Sequence, residues 1–258
     1  MCGRFAVTTD PARLAGQIHA VDETGGALAI PNYNVAPTTT IAAVVESDGD
    51  GSATRRIRPM RWGLLPSWVK ADSGGRPLAK SLLINARAET LTTSPAFRSA
   101  ARHRRCLVPM DGYYEWMRPT DAGPGVRKTP FYLFAEHGWP LLMAGLWSAW
   151  QPPESPESPE SPEPAESARP MLTAAIVTTD AVGELARVHD RMPLVIAERD
   201  WDRWLDPDSP APADLLGAPP DVGGIAIREV STLVNRVANN GPELIAPADR
   251  GNQPVGLF

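Results

Sequence analysis

The chain has 258 residues, of which 43% are hydrophobic, and its formal net charge is −5. This length can bury a core without disulfides, and the two cysteines, Cys2 and Cys106, exclude the disulfide framework of small secreted domains. Residues 1–20 lack the apolar stretch of a signal peptide, and no run reaches the roughly 18 apolar residues of a membrane span. We expect a cytoplasmic protein that does not contact membranes.

The charge is unevenly distributed along the chain. Residues 152–168, PPESPESPESPEPAESA, carry five Glu and no Lys or Arg, so the remainder of the chain has no net charge. Within that remainder, residues 55–105 hold ten Arg and two Lys against only Asp72 and Glu89. Such an excess is typical of a surface that binds a polyanion such as nucleic acid. Coding bias that places Arg on an ordinary solvated surface would produce the same composition.

Short apolar segments separated by Gly- and Pro-rich turns predict a chain dominated by strands. The predicted strands are residues 41–47, 56–65, 106–109, 112–116, 130–135, 141–147, 171–179, 191–196 and 225–230. The glutamate-rich segment 152–168 follows one of them and precedes another. Its Pro and Glu content is unsuited to a helix, a strand or a core, so it is expected to be a disordered loop inserted within one domain.

Three helices are predicted, the longest over SPAFRSAARHRR (94–105). Ser94 would cap this helix and Pro95 would occupy its first position. Three arginines would share one face, either as a phosphate-binding track or as a solvated surface: Arg98, Arg102 and Arg105. Shorter helices are expected over 180–189 and 198–205. The sequence therefore predicts an α+β, strand-dominated fold.

The chain begins MCGRF, and removal of Met1 would make Cys2 the N-terminal residue. An α-amine with a pKa near 7.7–8.0 would then stand beside a thiol. This pair can condense with an aldehyde to an imine and close it to a five-membered thiazolidine. Alternatively, the thiol attacks an acyl carbon while the amine acts as base. A cysteine at position 2 can also be incidental.

Other polar residues stand out because apolar or aromatic residues surround them. In LLINARAET (82–90), Asn85, Arg87 and Glu89 directly follow three aliphatic residues. Glu115 lies between two aromatic residues in DGYYEW, a setting that raises a carboxyl pKa toward neutral pH. His189, in VHDRMPLVI, could be its partner base. Each residue could equally have a purely structural role.

Taken together and in order, the motifs resemble one family, the SRAP or SOS-response-associated peptidases. The matching stretches are MCGRF, YNVAPTT, RWGLLPSW, INARAET, FRSAARHRRCLVPMDGYYEW, PFYLF, AGLW, IVTT, HDRMPLVI and VNRVANNGPELIAP. They extend from Met1 to about Pro247. The resemblance implies one SRAP domain over 1–250, with bent, barrel-like antiparallel sheets, the insertion 152–168 and a C-terminal tail, 251–258.

The resemblance also implies a function. Members of the family shield abasic sites in single-stranded DNA, in the DNA damage response, by forming a covalent thiazolidine through an imine. This is lyase-like chemistry that protects the lesion from strand cleavage. By this resemblance Cys2 supplies amine and thiol, Asn85 orients the opened sugar, Glu115 is the acid and base, and His189 stabilises the imine. Autoproteolytic removal of Met1 is a further activity that the family name suggests.

The expected DNA contacts follow from the same motifs. Arg87 would bind phosphate, Trp62 and Trp68 would stack on bases or pack in the core, and Arg98 would lie on a basic helix face. Arg4 and Asn34 would line the pocket of Cys2. No metal and no cofactor are expected, and the protein is expected to be a monomer. Residues 70–81, KADSGGRPLAKS, look longer and richer in glycine than is expected of the family.

Two other classes of protein fit parts of the sequence. Class II glutamine amidotransferase domains also begin Met-Cys-Gly and use the cysteine thiol as nucleophile on a glutamine amide. They need a synthase domain that uses the ammonia, and the excess of Arg would be unexplained. A passive single-stranded DNA-binding module, in which Cys2 is inert, is the third possibility.

Overall fold

The structure is a computed structural model that describes residues 2–47, 54–119, 127–151 and 170–249. Its strands are Phe5–Val7 (β1), Ala20–Asp22 (β2), Asn32–Val35 (β3), Thr40–Ser47 (β4), Thr54–Trp62 (β5), Asn85–Arg87 (β6), Arg105–Met110 (β7), Gly112–Met117 (β8), Thr129–Ala135 (β9), Leu141–Trp150 (β10), Met171–Asp180 (β11), Arg191–Pro193 (β12) and Ile225–Glu229 (β13). Its α-helices are Pro11–Ile18 (α1), Arg98–His103 (α2), Trp201–Leu205 (α3) and Ala213–Gly217 (α4).

Two sheets organise these strands. Over the described residues, one is five-stranded, in the order β13-β9-β8-β1-β3, and the other is eight-stranded, in the order β12-β11-β10-β7-β4-β5-β2 with β6 beside β11. Part of the larger sheet closes into a ring, because β11 pairs antiparallel with β10 and also parallel with β5. The predicted strand-dominated α+β fold with bent, barrel-like sheets is therefore confirmed.

The larger sheet is apolar on both faces. One face packs against α1, α2 and α3 through residues such as Leu14, Ala100 and Trp204. The other face packs against the five-stranded sheet, and we call this layer the inter-sheet core; it includes Cys2, Phe5, Trp62, Tyr113 and Ile176. Alternate residues of β11 belong to opposite layers, as the two-residue period of a strand requires.

The helices differ more from prediction than the strands do. The predicted helix 94–105 is only Arg98–His103, and its N-cap is Phe97, which makes no side-chain cap. The Ser94 carbonyl accepts hydrogen bonds from the backbone amides of Phe97 and Arg98, but Ser94 is not the N-cap of the helix. The predicted helix 180–189 is a 3-10 helix over Gly183–Arg187. Helix α1 was not predicted, although Asp10 caps it through its carboxylate.

The prediction of one arginine face on this helix is wrong, because Arg105 lies in β7 and is buried. Its guanidinium donates to five backbone carbonyls in α2, in α3 and in the segment after α3, namely those of Ala101, Arg102, Trp204, Asp206 and Ser209. The guanidinium also stacks over the Trp204 ring. Arg105 therefore holds α2 and α3 to the sheet and is not available to phosphate.

Several predicted features fall on residues outside the described ranges. The insertion 152–168 and the tail 251–258 are among them. The extent of the SRAP domain over 1–250 stays a prediction. None of the helices in the described part of the chain is long and apolar enough to cross a membrane.

The role of Arg105 predicts a loss of stability in Arg105→Lys. A lysine has one nitrogen and cannot reach carbonyls on both α2 and the segment after α3, so some would be buried without a donor. We expect the free energy of unfolding to fall by about 2–4 kcal/mol in urea denaturation. Arg102→Lys is the matched control, because that side chain is exposed, and should change stability by less than about 0.5 kcal/mol. Equal stabilities for the two variants would contradict this role.

Candidate functional site

Strand β1 determines where Cys2 lies. It is an interior strand of the five-stranded sheet, and Phe5 pairs with Val35 on one side and with Tyr113 on the other. The pairing extends beyond the strand, because the Tyr114 amide donates to the Arg4 carbonyl at 2.9 Å. Cys2 is 0% exposed and lies in the inter-sheet core. Cys2 is therefore positioned by the sheet and not by a flexible arm.

Asn85 brings the larger sheet to Cys2. Ala86 of β6 packs on the helical side of that sheet, so Asn85 and Arg87 face the inter-sheet core. The Asn85 side-chain amide donates to the Cys2 carbonyl at 2.9 Å. Arg87 lies on the same strand face and is exposed. The structure thus brings Asn85 to Cys2 and places Arg87 two residues further along the same face of β6.

Glu115 and His189 form the polar centre of the site. Glu115 is 3% exposed, and its Oε2 lies 4.0 Å from Nε2 of His189. The Arg191 backbone amide donates to Nδ1 of His189 at 3.0 Å, which leaves the ring proton on Nε2, facing Glu115. The Asp190 carboxylate lies 2.7 Å from the same Nδ1 and would favour a proton there. The amide determines the position of the ring proton, because the backbone at Arg191 is held in a sheet whereas the Asp190 side chain is exposed.

Burial controls the acidity of the site. Removal from solvent raises the pKa of the Cys2 thiol far above its usual value, and the nearby Glu115 carboxylate raises it further. Burial also raises the pKa of Glu115. The thiol is therefore a poor nucleophile on its own, while the carboxyl group holds its proton toward neutral pH and is suited to acid–base catalysis.

An ion pair connects the segment that carries Asn85 with the segment that carries His189. Arg191 binds both carboxylate oxygens of Glu89, at 2.7 and 3.0 Å, and also donates to the Thr178 carbonyl. Glu89 follows β6, which carries Asn85, and Arg191 follows His189 by two residues. The bidentate geometry fixes the two segments relative to each other. Arg191 is therefore a positioning residue that the sequence motifs did not single out.

Arg4 and Asn34 form a supporting layer beside the site. Arg4 donates to the Asn34 side-chain oxygen at 2.7 Å and stacks over the Trp116 ring. Asn34 is buried, and its amide nitrogen donates to backbone carbonyls of residues 234–239. Asn34 therefore anchors Arg4 and the segment around residue 236, and its polar atoms are engaged within the protein. Its place in the lining of the Cys2 pocket stays a prediction.

The predicted DNA-stacking tryptophans lie in different environments. Trp62 is 0% exposed, and its indole donates to the Ile84 carbonyl, so no base can stack on it in this structure. Of the two alternatives, core packing holds for Trp62. Trp68 is 66% exposed and borders a cavity of about 380 Å³ that Lys70 and Lys80 also line. Two other lining residues, Leu64 and Leu83, pack on the helical side of the larger sheet.

The basic stretch 55–105 does not form one surface. Arg56 and Arg58 contact Glu23, and Arg55 pairs with Asp202 at 2.5 Å. Arg98 is exposed on α2, which packs on the helical side of the larger sheet, away from Cys2. The excess of Arg is therefore divided between structural ion pairs and separate exposed groups, and not gathered on a single polyanion-binding surface.

Two hydroxyl-bearing residues of the site were missed by the sequence reasoning. Tyr113 and Thr178 are fully buried, and neither hydroxyl has a hydrogen-bond partner in the described part of the chain. Thr178 shares a face of β11 with Ile176, toward the inter-sheet core. In sequence both look like ordinary strand residues, since Tyr and Thr favour strands in any case. No signal short of the structure separates them from core residues.

Comparison with known proteins places the chain in a family. The profile of the SRAP (SOS response associated peptidase) family matches residues 1–237. The chain belongs to the SRAP family. This SRAP protein is 33% identical over 247 residues to the abasic site processing protein YoqW of Bacillus subtilis, covering 95% of this chain and 99% of that protein. It is 29% identical to the abasic site processing protein HMCES of Gallus gallus, covering 97% and 79% of the two chains.

Solved structures are similar in fold. A protein from Bacteroides thetaiotaomicron has a TM-score of 0.74 at 22% identity, over 96% of this SRAP protein and 100% of that chain. A phage-related protein from Bordetella bronchiseptica has a TM-score of 0.62 at 27% identity, over 89% and 94% of the two chains. Within the described residues, no group of three or more His, Cys, Asp or Glu side chains is arranged to hold a metal ion.

The raised pKa of Glu115 predicts how stability depends on pH. The folded protein keeps the carboxyl proton to a higher pH than the unfolded chain does, so ionisation above about pH 4.3 opposes folding. Glu115→Gln removes that cost. We expect the variant to melt a few degrees above the wild type at pH 7 and at the same temperature near pH 4, in thermal denaturation. A variant that is less stable than the wild type at pH 7 would contradict the pKa assignment.

Proposed function

We propose that this protein captures abasic sites in single-stranded DNA as a covalent adduct of Cys2, and thereby protects the lesion from strand cleavage. The observation that carries the proposal is the meeting of Cys2, Asn85, Glu115 and His189 at one site in a chain whose relatives are named abasic site processing proteins. An abasic site opens to an aldehyde, the group with which an N-terminal cysteine condenses.

The chemistry begins at the Cys2 amine once Met1 has been removed. The amine attacks the aldehyde carbon to form a carbinolamine, which loses water to become an imine. The thiol then adds to the imine carbon and closes the thiazolidine, and its proton passes to the imine nitrogen. Because burial raises the thiol pKa, an amine-first order is favoured over direct attack by the thiol. This is also why we favour aldehyde capture over glutamine hydrolysis.

The surrounding residues have distinct roles in the proposed reaction. Glu115, whose burial keeps its proton to a higher pH than usual, donates a proton to the ring oxygen as the sugar opens and later to the departing water. Each time it recovers a proton, first from the sugar hydroxyl and then from the nitrogen. His189, whose Nε2 lies 4.0 Å from the Glu115 carboxylate, stabilises the imine stage. Asn85 holds the Cys2 backbone at 2.9 Å, so that the amine and thiol start from one position.

DNA is proposed to bind through its backbone, because an abasic site offers no base to read. Arg87 is exposed beside Asn85 and would contact a phosphate. Trp68 would stack on a neighbouring base at the cavity that Lys70 and Lys80 line. Both contacts tolerate any sequence, and the phosphate contact weakens as salt rises.

The proposal predicts a denaturant-resistant adduct. Mature protein incubated with abasic single-stranded DNA should migrate as a crosslinked band on a denaturing gel, because thiazolidine formation makes a covalent bond. Cys2→Ala should give no stable thiazolidine band. A stable adduct that persists in Cys2→Ala would refute the mechanism. Ammonia release from glutamine would instead indicate an amidotransferase, and salt-sensitive binding with no adduct would indicate a passive DNA-binding module.

Glu115→Gln is expected to slow adduct formation by about 10²-fold or more, because the amide cannot transfer protons. The measurement is the single-turnover rate at saturating DNA. The same variant is expected to be more stable than the wild type at pH 7, so slower reaction cannot be attributed to unfolding. An unchanged rate would make Glu115 a structural residue.

A further inference from the structure

Tyr113 holds a polar group that the fold itself does not use. Its hydroxyl is buried, and no hydrogen-bond partner lies within reach among the described residues. Burying an unpaired hydroxyl costs about 1–3 kcal/mol. The next residue shows the ordinary arrangement, since the Tyr114 hydroxyl donates to the Tyr33 carbonyl at 2.7 Å. An unpaired donor in a native core calls for a partner that arrives with a ligand.

The position of Tyr113 indicates which ligand that is. Residues 113 and 115 lie on one face of β8, whereas Tyr114 faces the opposite layer. Tyr113 therefore points into the inter-sheet core that contains Cys2, on the same face as Glu115. Burial raises its pKa well above the usual value, and the charges of Cys2 and Glu115 raise it further. The phenol consequently stays protonated at neutral pH and remains a hydrogen-bond donor.

We propose that the Tyr113 hydroxyl donates a hydrogen bond to the aldehyde oxygen of the bound abasic site, and so polarises the carbonyl that Cys2 attacks. The inference rests on the proposed function above. As the amine forms the carbon–nitrogen bond, the carbonyl electron pair moves to oxygen, which takes a proton and later leaves as water. Tyr113 keeps its own proton and stabilises the charge that develops on that oxygen, as an oxyanion hole does.

The other unpaired groups of the site fit this role less well. The unpaired atom of Asn85 is its side-chain oxygen, which accepts and cannot donate, and its amide is already bonded to the Cys2 carbonyl. Thr178 has a hydroxyl, but it lies on β11, whereas Tyr113 lies on the strand that pairs directly with the strand of Cys2. Tyr113 is therefore better placed than Asn85 or Thr178 to donate a hydrogen bond to a substrate bound at Cys2.

The test compares Tyr113→Phe with Tyr114→Phe, which makes the same change on the opposite face of β8. At saturating abasic single-stranded DNA, the rate of adduct formation should fall about 10-fold in Tyr113→Phe, the loss of one hydrogen bond. Its affinity for DNA with a tetrahydrofuran abasic analogue, which has no aldehyde, should be unchanged. Its melting temperature should equal or exceed that of the wild type. Tyr114→Phe should react at the wild-type rate and melt lower, because it loses the bond to Tyr33.

The outcomes separate this inference from the proposed function. If the wild type forms no adduct, the proposed function itself fails. If the wild type forms the adduct and Tyr113→Phe reacts equally fast, the proposed function stands and the role of Tyr113 is overturned. The role of Tyr113 would also be overturned if Tyr113→Phe bound the tetrahydrofuran DNA more weakly and this weaker binding accounted for the whole loss of rate. A tenfold loss in Thr178→Val with none in Tyr113→Phe would overturn it as well.

Discussion

The site depends on one constraint, which is that the first strand of the chain is paired on both of its edges. Because β1 lies between β3 and β8, Phe5 is fixed from both sides and Cys2 has only a short segment in which to move. The Asn85 amide then fixes the Cys2 carbonyl from the other sheet. Cys2 is thereby held in a core, as the proposed chemistry at this residue requires.

Burying polar groups at the site lowers the stability of the fold. Glu115 is buried with a raised pKa, and the hydroxyls of Tyr113 and Thr178 are buried unpaired, all of which oppose stability. The surrounding structure offsets this through a continuous apolar layer and through well-bonded arginines. Arg105 joins five backbone carbonyls and Arg191 joins the β6 and β12 segments. Among the described residues the unpaired hydroxyls of Tyr113 and Thr178 lie at the site, whereas the arginine contacts lie in the frame around it.

The arginines illustrate how far composition can indicate a function. An excess of Arg in residues 55–105 is compatible with DNA binding, yet much of it forms internal contacts. Arg55 and Arg56 pair with carboxylates, and Arg105 is buried. Within that stretch, Arg87 lies on the face of β6 that carries Asn85, whose amide bonds the Cys2 carbonyl. The proposed DNA interface therefore rests on a few groups around the site and not on a broad basic surface.

The sequence by itself determined the family, the strand-dominated class and the catalytic candidates, because ordered motifs and strand periodicity are local properties of the chain. It could not decide which aromatic and arginine side chains are buried. Trp62 and Arg105 have the appearance of exposed binding residues, and only their contacts with Ile84 and with α3 make them structural. Likewise the unpaired state of the Tyr113 hydroxyl became visible only in the folded chain. Burial and hydrogen-bond partnership arise between segments that are distant in sequence, so tertiary structure alone assigns them.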